Sequence, residues 1–383
     1  MEEINKILPI SKPFLGDEEA LAAKEAILSG WVSQGPRVAE FEEKFAEYVG
    51  SRYAVAVTSC TTALHSALAV SGVSFQDEVI VPSLSFIATA NAVVHCGATP
   101  VFVDIDLETC NIDPQKIEEK ITEKTKVIMP VHQMGLPADL DAIKNIADRY
   151  ELKVIEDAAC AIGSEYKGKR IGGYGNIACF SFHPRKIITT GEGGMITTDD
   201  KEIAERLRRF RHHGMSVSDL ERHKANKVIV ESYIEIEYNY RMTDIQAAMG
   251  IAQLEKLPFI LEKRREIAEF YNKVLSEIKV IRIPKIPDYI YHNYQSYWIE
   301  ILDLSPISRD MLMERLLEKK IATRRGIMAI HMEECYIKRG NMPRLPMTER
   351  ITKNTILLPI YPSMTKEEQE YVVECMREIM RSL

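Results

Sequence analysis

The sequence predicts an α/β protein with one large layered domain and a smaller α+β domain at its C-terminal end. Short β-rich runs alternate with helical patterns between residues 51 and 200. Some of these runs, such as Val79–Pro82 and Val127–Val131, are apolar throughout, which is typical of strands covered on both faces of a parallel sheet. After Glu202 the pattern becomes mainly helical, and from Val280 helices and strands mix again.

Local patterns predict the elements of the large domain in order. The first helix is expected to have Asp17 as its N-cap and to stop at Gly30, and the second to start at Pro36. Strands are expected at Tyr53–Thr58, Glu78–Pro82, Pro100–Ile105, Val127–Val131, Lys153–Asp157, Ile177–Phe182 and Met195–Thr198. The helices between them are expected at Thr62–Val70, Ser85–Cys96, Pro114–Ile121 and Leu140–Tyr150.

The C-terminal part begins with two strong helical patterns, Thr243–Lys256 and Phe259–Leu275. Pro258 is expected to break the helix between them, because an interior proline removes a backbone hydrogen bond. The domain boundary is predicted along the second of these helices, near 259–275, with domains at 1–258 and 259–383. The small domain is expected to contain elements at Tyr297–Leu302, Arg309–Lys319, Ile356–Pro359 and Lys366–Arg381.

Composition excludes several classes of function. The chain has 49 Lys and Arg against 56 Asp and Glu, a net charge of −7, and no basic block, so nucleic-acid binding is not expected. None of the 7 cysteines forms a Cys-x-x-Cys pair, and we expect no metal. The chain starts without a signal-peptide pattern and has no apolar run of about 18 residues, so we expect a cytoplasmic protein that neither enters nor crosses a membrane.

Three segments carry polar groups that follow predicted strands: Thr58–Leu64, Val154–Cys160 and Cys179–Gly194. Ligands of open α/β sheets bind beyond the carboxyl ends of the strands, so these turns are the candidate site. Each segment also has an ordinary interpretation when taken alone. The first could be a simple N-cap, the carboxylates of the second could cap a turn, and Lys186 of the third could be a solvated charge.

Together the three segments predict a site for pyridoxal 5'-phosphate. This cofactor requires an anion cradle, an acid beside its pyridine nitrogen and a lysine that forms a Schiff base. Hydroxyls and N–H groups after Thr58 supply the cradle. Asp157 would keep the ring nitrogen protonated, and Lys186 would hold the aldehyde and then move a proton. Phe86 could cover the ring face, although a single Phe would also suit the core.

The motifs at these positions resemble a known family. The sequences Ser181–Pro184 with Lys186, and Thr190–Met195, closely resemble those of the DegT/DnrJ/EryC1/StrS sugar aminotransferases. The same holds for Tyr238–Ala248, for Gly30–Pro36 and for Val131–Gly135. The resemblance extends from about residue 8 to about residue 375.

The resemblance implies the fold-type I aminotransferase architecture and a homodimer with shared active sites. It implies Lys186 as the internal aldimine, Asp157 at the pyridine nitrogen and Phe86 stacked on the ring. The remaining cofactor contacts implied by the family are those of Cys60, Thr61, Cys160 and Ser181, with Asn239 and Arg241 reaching the cofactor of the neighbouring subunit. The implied reaction moves an amino group, commonly from glutamate, to a keto group of a nucleotide-linked deoxysugar, in polysaccharide or lipopolysaccharide biosynthesis.

Several positions depart from the family pattern. Many relatives have Gly where this chain has Cys60, so only its N–H is expected to bind phosphate. Cys160 stands where Gln or His is frequent, and a thiol is a weak hydrogen-bond partner. Thr323-Arg324 is followed by Arg325 rather than by a His-Tyr pair, although His331 matches a recurrent His that could contact substrate. His183 is expected to pack beside the lysine loop.

Three alternatives remain open. A sugar dehydratase of the same family would carry His in place of Lys186, so the lysine present in this chain disfavours it. An aminotransferase for a cyclitol or an antibiotic precursor would have the same motifs. A regulatory protein that kept the fold is the third alternative, but the intact Lys186, Asp157 and Ser181 and the lack of a basic DNA-reading helix disfavour it.

Overall fold

A computed structural model describes residues 7–217, 226, 228–340 and 342–381. The helices of the described chain are α1 (Asp17–Leu28), α2 (Pro36–Val49), α3 (Cys60–Val70), α4 (Ala88–His95), α5 (Leu140–Arg149), α6 (Lys201–Phe210), α7 (Asp244–Leu275), α8 (Arg309–Glu318), α9 (Glu334–Ile337), α10 (Pro346–Asn354) and α11 (Lys366–Arg381). No helix in these ranges is both long enough and apolar enough to cross a membrane.

The strands of the described residues form three sheets. They are β1 (Tyr53–Val57), β2 (Glu78–Pro82), β3 (Thr99–Val103), β4 (Thr125–Ile128), β5 (Lys153–Asp157), β6 (Glu165–Tyr166), β7 (Lys169–Arg170), β8 (Ile177–Ser181), β9 (Gly194–Thr198), β10 (Ile281–Arg282), β11 (Ile290–Tyr291), β12 (Tyr297–Ile301), β13 (Arg324–Arg325) and β14 (Thr355–Leu358). The 7-stranded sheet has the order β1-β9-β8-β5-β4-β2-β3, and the 4-stranded sheet has the order β10-β12-β14-β13.

The large sheet is mixed rather than fully parallel. Strand β9 runs antiparallel to both β1 and β8, while the other neighbouring strands pair in parallel. The carboxyl ends of β1, β8 and β5 therefore meet at the edge where β9 begins. Helix α2 packs on this sheet through Phe41 and Phe45, whose rings lie 5.2 Å from Phe182 and 5.1 Å from Phe180. These buried rings anchor the strand that leads into the lysine loop.

Helix α7 is continuous through Pro258, so the predicted break there is wrong. Leu254 and Leu257 pack in the core of the large sheet, whereas Ile267 and Tyr271 pack in the core of the small sheet. This packing on both sides of the proline outweighs the lost hydrogen bond. A domain boundary at 258/259 would fall inside the helix and stays a prediction.

Other differences are local. The N-cap of α1 is Gly16, not Asp17, because the Glu19 carboxylate reaches back to the Gly16 N–H at 2.7 Å. The expected helix at Pro114–Ile121 is instead two short 3₁₀ turns. Helix α4 begins at Ala88 rather than Ser85, because the Ser85 N–H donates to the Met328 carbonyl at 3.2 Å and holds an extended turn.

Candidate active site

The N-terminus of α3 forms an anion cradle directly after β1. Ser59 is the N-cap: its Oγ accepts from the Thr62 N–H at 3.2 Å, and the Thr62 hydroxyl oxygen accepts from the Ser59 N–H at 3.0 Å. Among the described residues, these caps leave the Cys60 and Thr61 N–H groups as the unused donors of the first turn. The Cys60 Sγ lies 3.5 Å from the Cys179 carbonyl and is directed at β8. The cradle therefore depends on backbone N–H groups and not on the thiol.

Gly194 holds the cradle against the sheet. It pairs with Val57 of β1 and with Ser181 of β8, so it joins the two strand ends. A Cβ at this position would lie 2.5 Å from the carbonyl carbon and oxygen of Ser59 and 2.8 Å from the Cys60 nitrogen. Only glycine permits this approach, and the buried Ser181 hydroxyl is thereby brought next to the start of α3.

Asp157 ends β5 in a buried position. Its Oδ2 accepts from the Thr89 hydroxyl at 2.7 Å, and its Oδ1 accepts from the Ala159 N–H at 3.2 Å. Only 4% of the residue is exposed. The carboxylate is therefore held at the sheet edge, and its oxygens can still accept from a further donor.

Lys186 lies in the loop after β8 and is half-buried. Its Nζ donates to the Cys160 Sγ at 3.1 Å. Burial lowers the pKa of the Lys186 amine, but the neighbouring Cys160, Cys60 and Asp157 outweigh burial, so this pKa is raised above its usual value. Burial and then the Asp157 carboxylate raise the pKa of the Cys60 thiol well above its usual range, which keeps that thiol neutral at pH 7. Asp157 is one of the neighbours that favour the charged amine, after Cys160.

The lysine loop, residues 182–193, is held by hydrogen bonds next to Lys186. The Lys186 N–H donates to the His183 carbonyl at 2.8 Å, and the Arg185 N–H donates to His183 Nδ1 at 3.2 Å. The Gln295 side chain donates to the Arg185 carbonyl at 2.8 Å. Burial lowers the pKa of His183. These contacts agree with the expected packing role of His183, because its imidazole shapes the loop and no contact joins it to Lys186 Nζ among the described residues.

The structure brings only part of the predicted site together within one chain. The clustered residues are Cys60, Thr61, Asp157, Cys160, Ser181 and Lys186. Phe86 is 64% exposed beside them, on the turn that leads to Thr89. Asn239 is exposed, and Arg241 Nη1 lies 2.6 Å from His212 Nδ1 rather than beside Lys186. Their predicted role in a partner subunit stays a prediction.

His331 is buried, with 4% exposed. Its Nδ1 lies 2.7 Å from the Ser83 hydroxyl, and its Nε2 lies 3.6 Å from a Glu349 carboxylate oxygen. Burial lowers the pKa of His331, and Glu349 partly opposes that shift. The predicted substrate contact of this histidine stays a prediction.

Two residues with clear roles near the site were not singled out from the sequence. Asp244 caps α2, since its carboxylate accepts from the N–H groups of Gly35, Arg37 and Val38 at 2.7, 3.0 and 3.0 Å. Thr89 donates to Asp157. The sequence signal for Thr89 is its position three residues after Phe86 at a helix start. For Asp244 the chain offers no local signal, because its partners lie more than 200 residues earlier.

The donor set fits pyridoxal 5'-phosphate. Free N–H groups at a helix N-terminus and a serine hydroxyl suit a phosphate. A buried carboxylate suits a protonated ring nitrogen, and a half-buried amine stands beside it. Among the described residues no group of three or more His, Cys, Asp or Glu side chains is arranged to hold a metal ion.

Comparisons with known proteins agree with this geometry. Over 388 residues, covering all of this chain and 99% of the relative, the sequence is 39% identical to the spore coat polysaccharide biosynthesis protein SpsC of Bacillus subtilis. The structure is similar to Helicobacter pylori PseC, an aminotransferase involved in the biosynthesis of pseudoaminic acid, with 30% identity, a TM-score of 0.92 and coverage of 99% of this chain and 100% of the other.

A third likeness concerns the cofactor. The PLP-form of the putative sugar aminotransferase Spr1654 from Streptococcus pneumoniae is 28% identical, with a TM-score of 0.92 and coverage of 98% and 99% of the two chains. The predicted fold-type I architecture and the pyridoxal 5'-phosphate cofactor are confirmed, and the chain is a sugar aminotransferase rather than a regulatory protein. Residues 13–377 match the model of one family, and the chain belongs to the DegT/DnrJ/EryC1/StrS aminotransferase family.

Proposed function

We propose that this enzyme transfers an amino group, from glutamate, to a keto group of a nucleotide-linked deoxysugar, with Lys186 as the residue that bonds the cofactor. The observation that carries the proposal is the convergence of Lys186, Asp157 and the N-terminus of α3 on one sheet edge. The family and the polysaccharide-related relative support a sugar as the acceptor.

In this proposal each residue of the site has a separate role toward the cofactor. The Cys60 and Thr61 N–H groups and the Ser181 hydroxyl hold the phosphate, and Phe86 covers the ring. Asp157 keeps the pyridine nitrogen protonated. When bound, the cofactor supplies an electron sink for the carbon that loses or gains a proton. The Lys186 Nζ amine would carry that proton.

Cys160 is proposed to orient the lysine. Its Sγ accepts a hydrogen bond from Lys186 Nζ at 3.1 Å. A thiol forms weak hydrogen bonds, so its contribution to the cofactor ring is expected to be small. Where relatives place Gln or His, this chain therefore relies on Asp157 and Phe86 to hold the ring.

An anionic acceptor agrees with the charge beside the lysine loop. Arg185 is exposed next to Lys186 and forms no ion pair with any of the described residues. The Gln295 side chain donates to the Arg185 carbonyl and fixes the backbone there, while the Arg185 residue is exposed to solvent. A guanidinium binds phosphate oxygens well, which suits the diphosphate of a nucleotide-linked sugar.

We also propose a cytoplasmic homodimer in which Asn239 and Arg241 complete the partner's phosphate site. The segment before them exposes large apolar side chains: Val228 is 91%, Val230 85% and Ile236 103% exposed. Apolar side chains in such a contiguous stretch are typical of a surface that is covered in an oligomer. A two-fold axis would make the exchange of Asn239 and Arg241 reciprocal.

Two experiments test the function. The purified protein is scanned for absorbance of bound pyridoxal phosphate, and amino transfer from glutamate is measured against a panel of nucleotide-linked keto-sugars and keto-cyclitols. Turnover of a nucleotide-linked sugar is expected. Turnover of the keto-cyclitols alone would favour the cyclitol aminotransferase. If neither class of acceptor is turned over, the proposal is contradicted.

Complementation tests the shared site. Lys186→Ala and the double variant Asn239→Ala/Arg241→Ala should each be inactive alone. Co-expressed, they should form heterodimers with one intact site and recover partial activity. If heterodimers form without any recovery, both groups act within the same subunit.

A further inference from the structure

A chain of buried hydroxyls leads away from Asp157. The Thr89 hydroxyl donates to Asp157 Oδ2 at 2.7 Å, and the Ser85 hydroxyl lies 2.7 Å from the Thr89 hydroxyl. Thr89 is 1% exposed and Ser85 2% exposed. Water therefore does not compete for these bonds, and each hydroxyl depends on its protein partner.

The direction of the chain follows from the chemistry of its end. A carboxylate only accepts hydrogen bonds, so the single proton of the Thr89 hydroxyl is committed to Asp157. The Thr89 oxygen must then accept, and the Ser85 hydroxyl donates to it. Since Asp157 Oδ1 already accepts from the Ala159 N–H, both carboxylate oxygens are held in place.

The far end of the chain is tied to another segment. The Ser85 N–H donates to the Met328 carbonyl at 3.2 Å, and the Ile330 N–H donates to the Ser83 carbonyl at 2.8 Å. The Ser83 hydroxyl also lies 2.7 Å from His331 Nδ1. The turn that carries Ser85 is thus held to the segment 328–331 by three contacts.

We infer that Thr89 is a positioning residue that orients the Asp157 carboxylate for the pyridine nitrogen, and that Ser85 orients the Thr89 hydroxyl. The inference rests on the proposed role of Asp157. Without the Thr89 donor, Oδ2 is left buried with an unsatisfied acceptor. The carboxylate then either rotates or takes up a proton, and in both cases it loses its hold on the ring nitrogen.

The test replaces Thr89 by Val, which keeps the branched shape and removes the hydroxyl. Thr197→Val is the matched control, because Thr197 is also buried and its hydroxyl donates to the Gly172 carbonyl at 3.2 Å, with no bond to Asp157. Thr89→Ser restores a hydroxyl, and Asp157→Asn tests the underlying role. The readouts are kcat, KM, thermal melting, and the ¹⁵N chemical shift of ring-labelled cofactor, which reports protonation of the pyridine nitrogen.

Thr89→Val should lower kcat by about 10- to 100-fold, the equivalent of one hydrogen bond to a charged group, with little change in KM. Its ¹⁵N shift should move toward the unprotonated ring, while Thr89→Ser stays close to wild type and Thr197→Val keeps kcat and shift. If Thr89→Val fails to fold, Ser85→Ala should give a smaller change of the shift in the same direction. Normal turnover of Asp157→Asn would remove the proposed role of Asp157. The inference about Thr89 alone would be overturned if Asp157→Asn is inactive while Thr89→Val keeps the kcat and the ¹⁵N shift of the wild type. Where Thr89→Val does not fold, the same result in Ser85→Ala would overturn it.

Discussion

Gly194→Ala tests the phosphate cradle with a single methyl group. The added Cβ would lie 2.5 Å from the Ser59 carbonyl carbon, whereas unbonded carbon atoms keep a separation of about 3.5 Å. The start of α3 must therefore move by about 1 Å, the difference between these two distances. A hydrogen bond of about 2.9 Å from its N–H groups would lengthen to about 3.9 Å, beyond bonding range.

The expected loss falls on phosphate recognition. One to two hydrogen bonds to a charged group are lost, each worth about 1.5–3 kcal/mol, so the Kd for pyridoxal phosphate should rise by about 10- to 10⁴-fold. Overpacking itself should cost the fold about 1–3 kcal/mol. Binding is measured by absorbance titration of the apoenzyme, with pyridoxal phosphate and with pyridoxal, which lacks the phosphate.

The comparison of the two ligands isolates the cradle. Wild type should bind pyridoxal phosphate far more tightly than pyridoxal, and Gly194→Ala should lose most of that preference. Gly16→Ala is the control, because its Cβ would meet only the ends of flexible side chains, with the Glu18 carboxylate nearest at 2.9 Å. A folded Gly194→Ala protein that keeps the full preference for the phosphate would show that the N-terminus of α3 does not bind it.

Three further predictions concern other groups. Lys186→Ala should abolish turnover while the cofactor still binds through its phosphate, and a borohydride-reducible adduct in this variant would identify a different lysine. Asp157→Asn should keep the fold but raise the activation free energy of turnover by about 2–4 kcal/mol, measured as a loss of kcat. Cys160→Ser should lower kcat only slightly in the same steady-state assay. Burial, together with His95, lowers the pKa of His65 to about 4. The unfolded chain, with a pKa of about 6.5 at this position, then binds more protons, so stability should fall by up to about 3 kcal/mol as pH drops from 6.5 to 4. Urea titrations at several pH values should show that the free energy of unfolding depends less on pH in His65→Asn than in the wild type. An unchanged dependence would exclude His65 as the cause.

The sequence was informative where structure is local. Glu78–Pro82 and Lys153–Asp157 were predicted with their observed bounds, because each has a short core of β-branched residues bounded by polar residues or proline. The clustering of Asp157 and Lys186 was also predictable, since both follow strands whose ends meet at one edge.

The differences arise where tertiary contacts decide. Packing of α7 in two cores overrides Pro258, and a backbone bond to Met328 delays the start of α4. The Thr89–Asp157 bond joins residues 68 positions apart, and no spacing rule connects them. The sequence predicted a parallel sheet, and the antiparallel direction of β9 could not be foreseen, because its five residues are all buried and a fully buried strand has no pattern that shows its direction.

The cap that Asp244 places on α2 also governs the order in which the chain can fold during synthesis. Its bonds close loops of 206 to 209 residues, and Gln253 closes one of 234 residues to Glu19 at 2.8 Å. Helices α1 and α2 leave the ribosome early, yet the helix that completes their packing is made some two hundred residues later. Such long-range closure slows folding and leaves the apolar face of α2 without this partner until α7 has emerged. Nascent chains that end before residue 244 should therefore be the ones that depend most on chaperones.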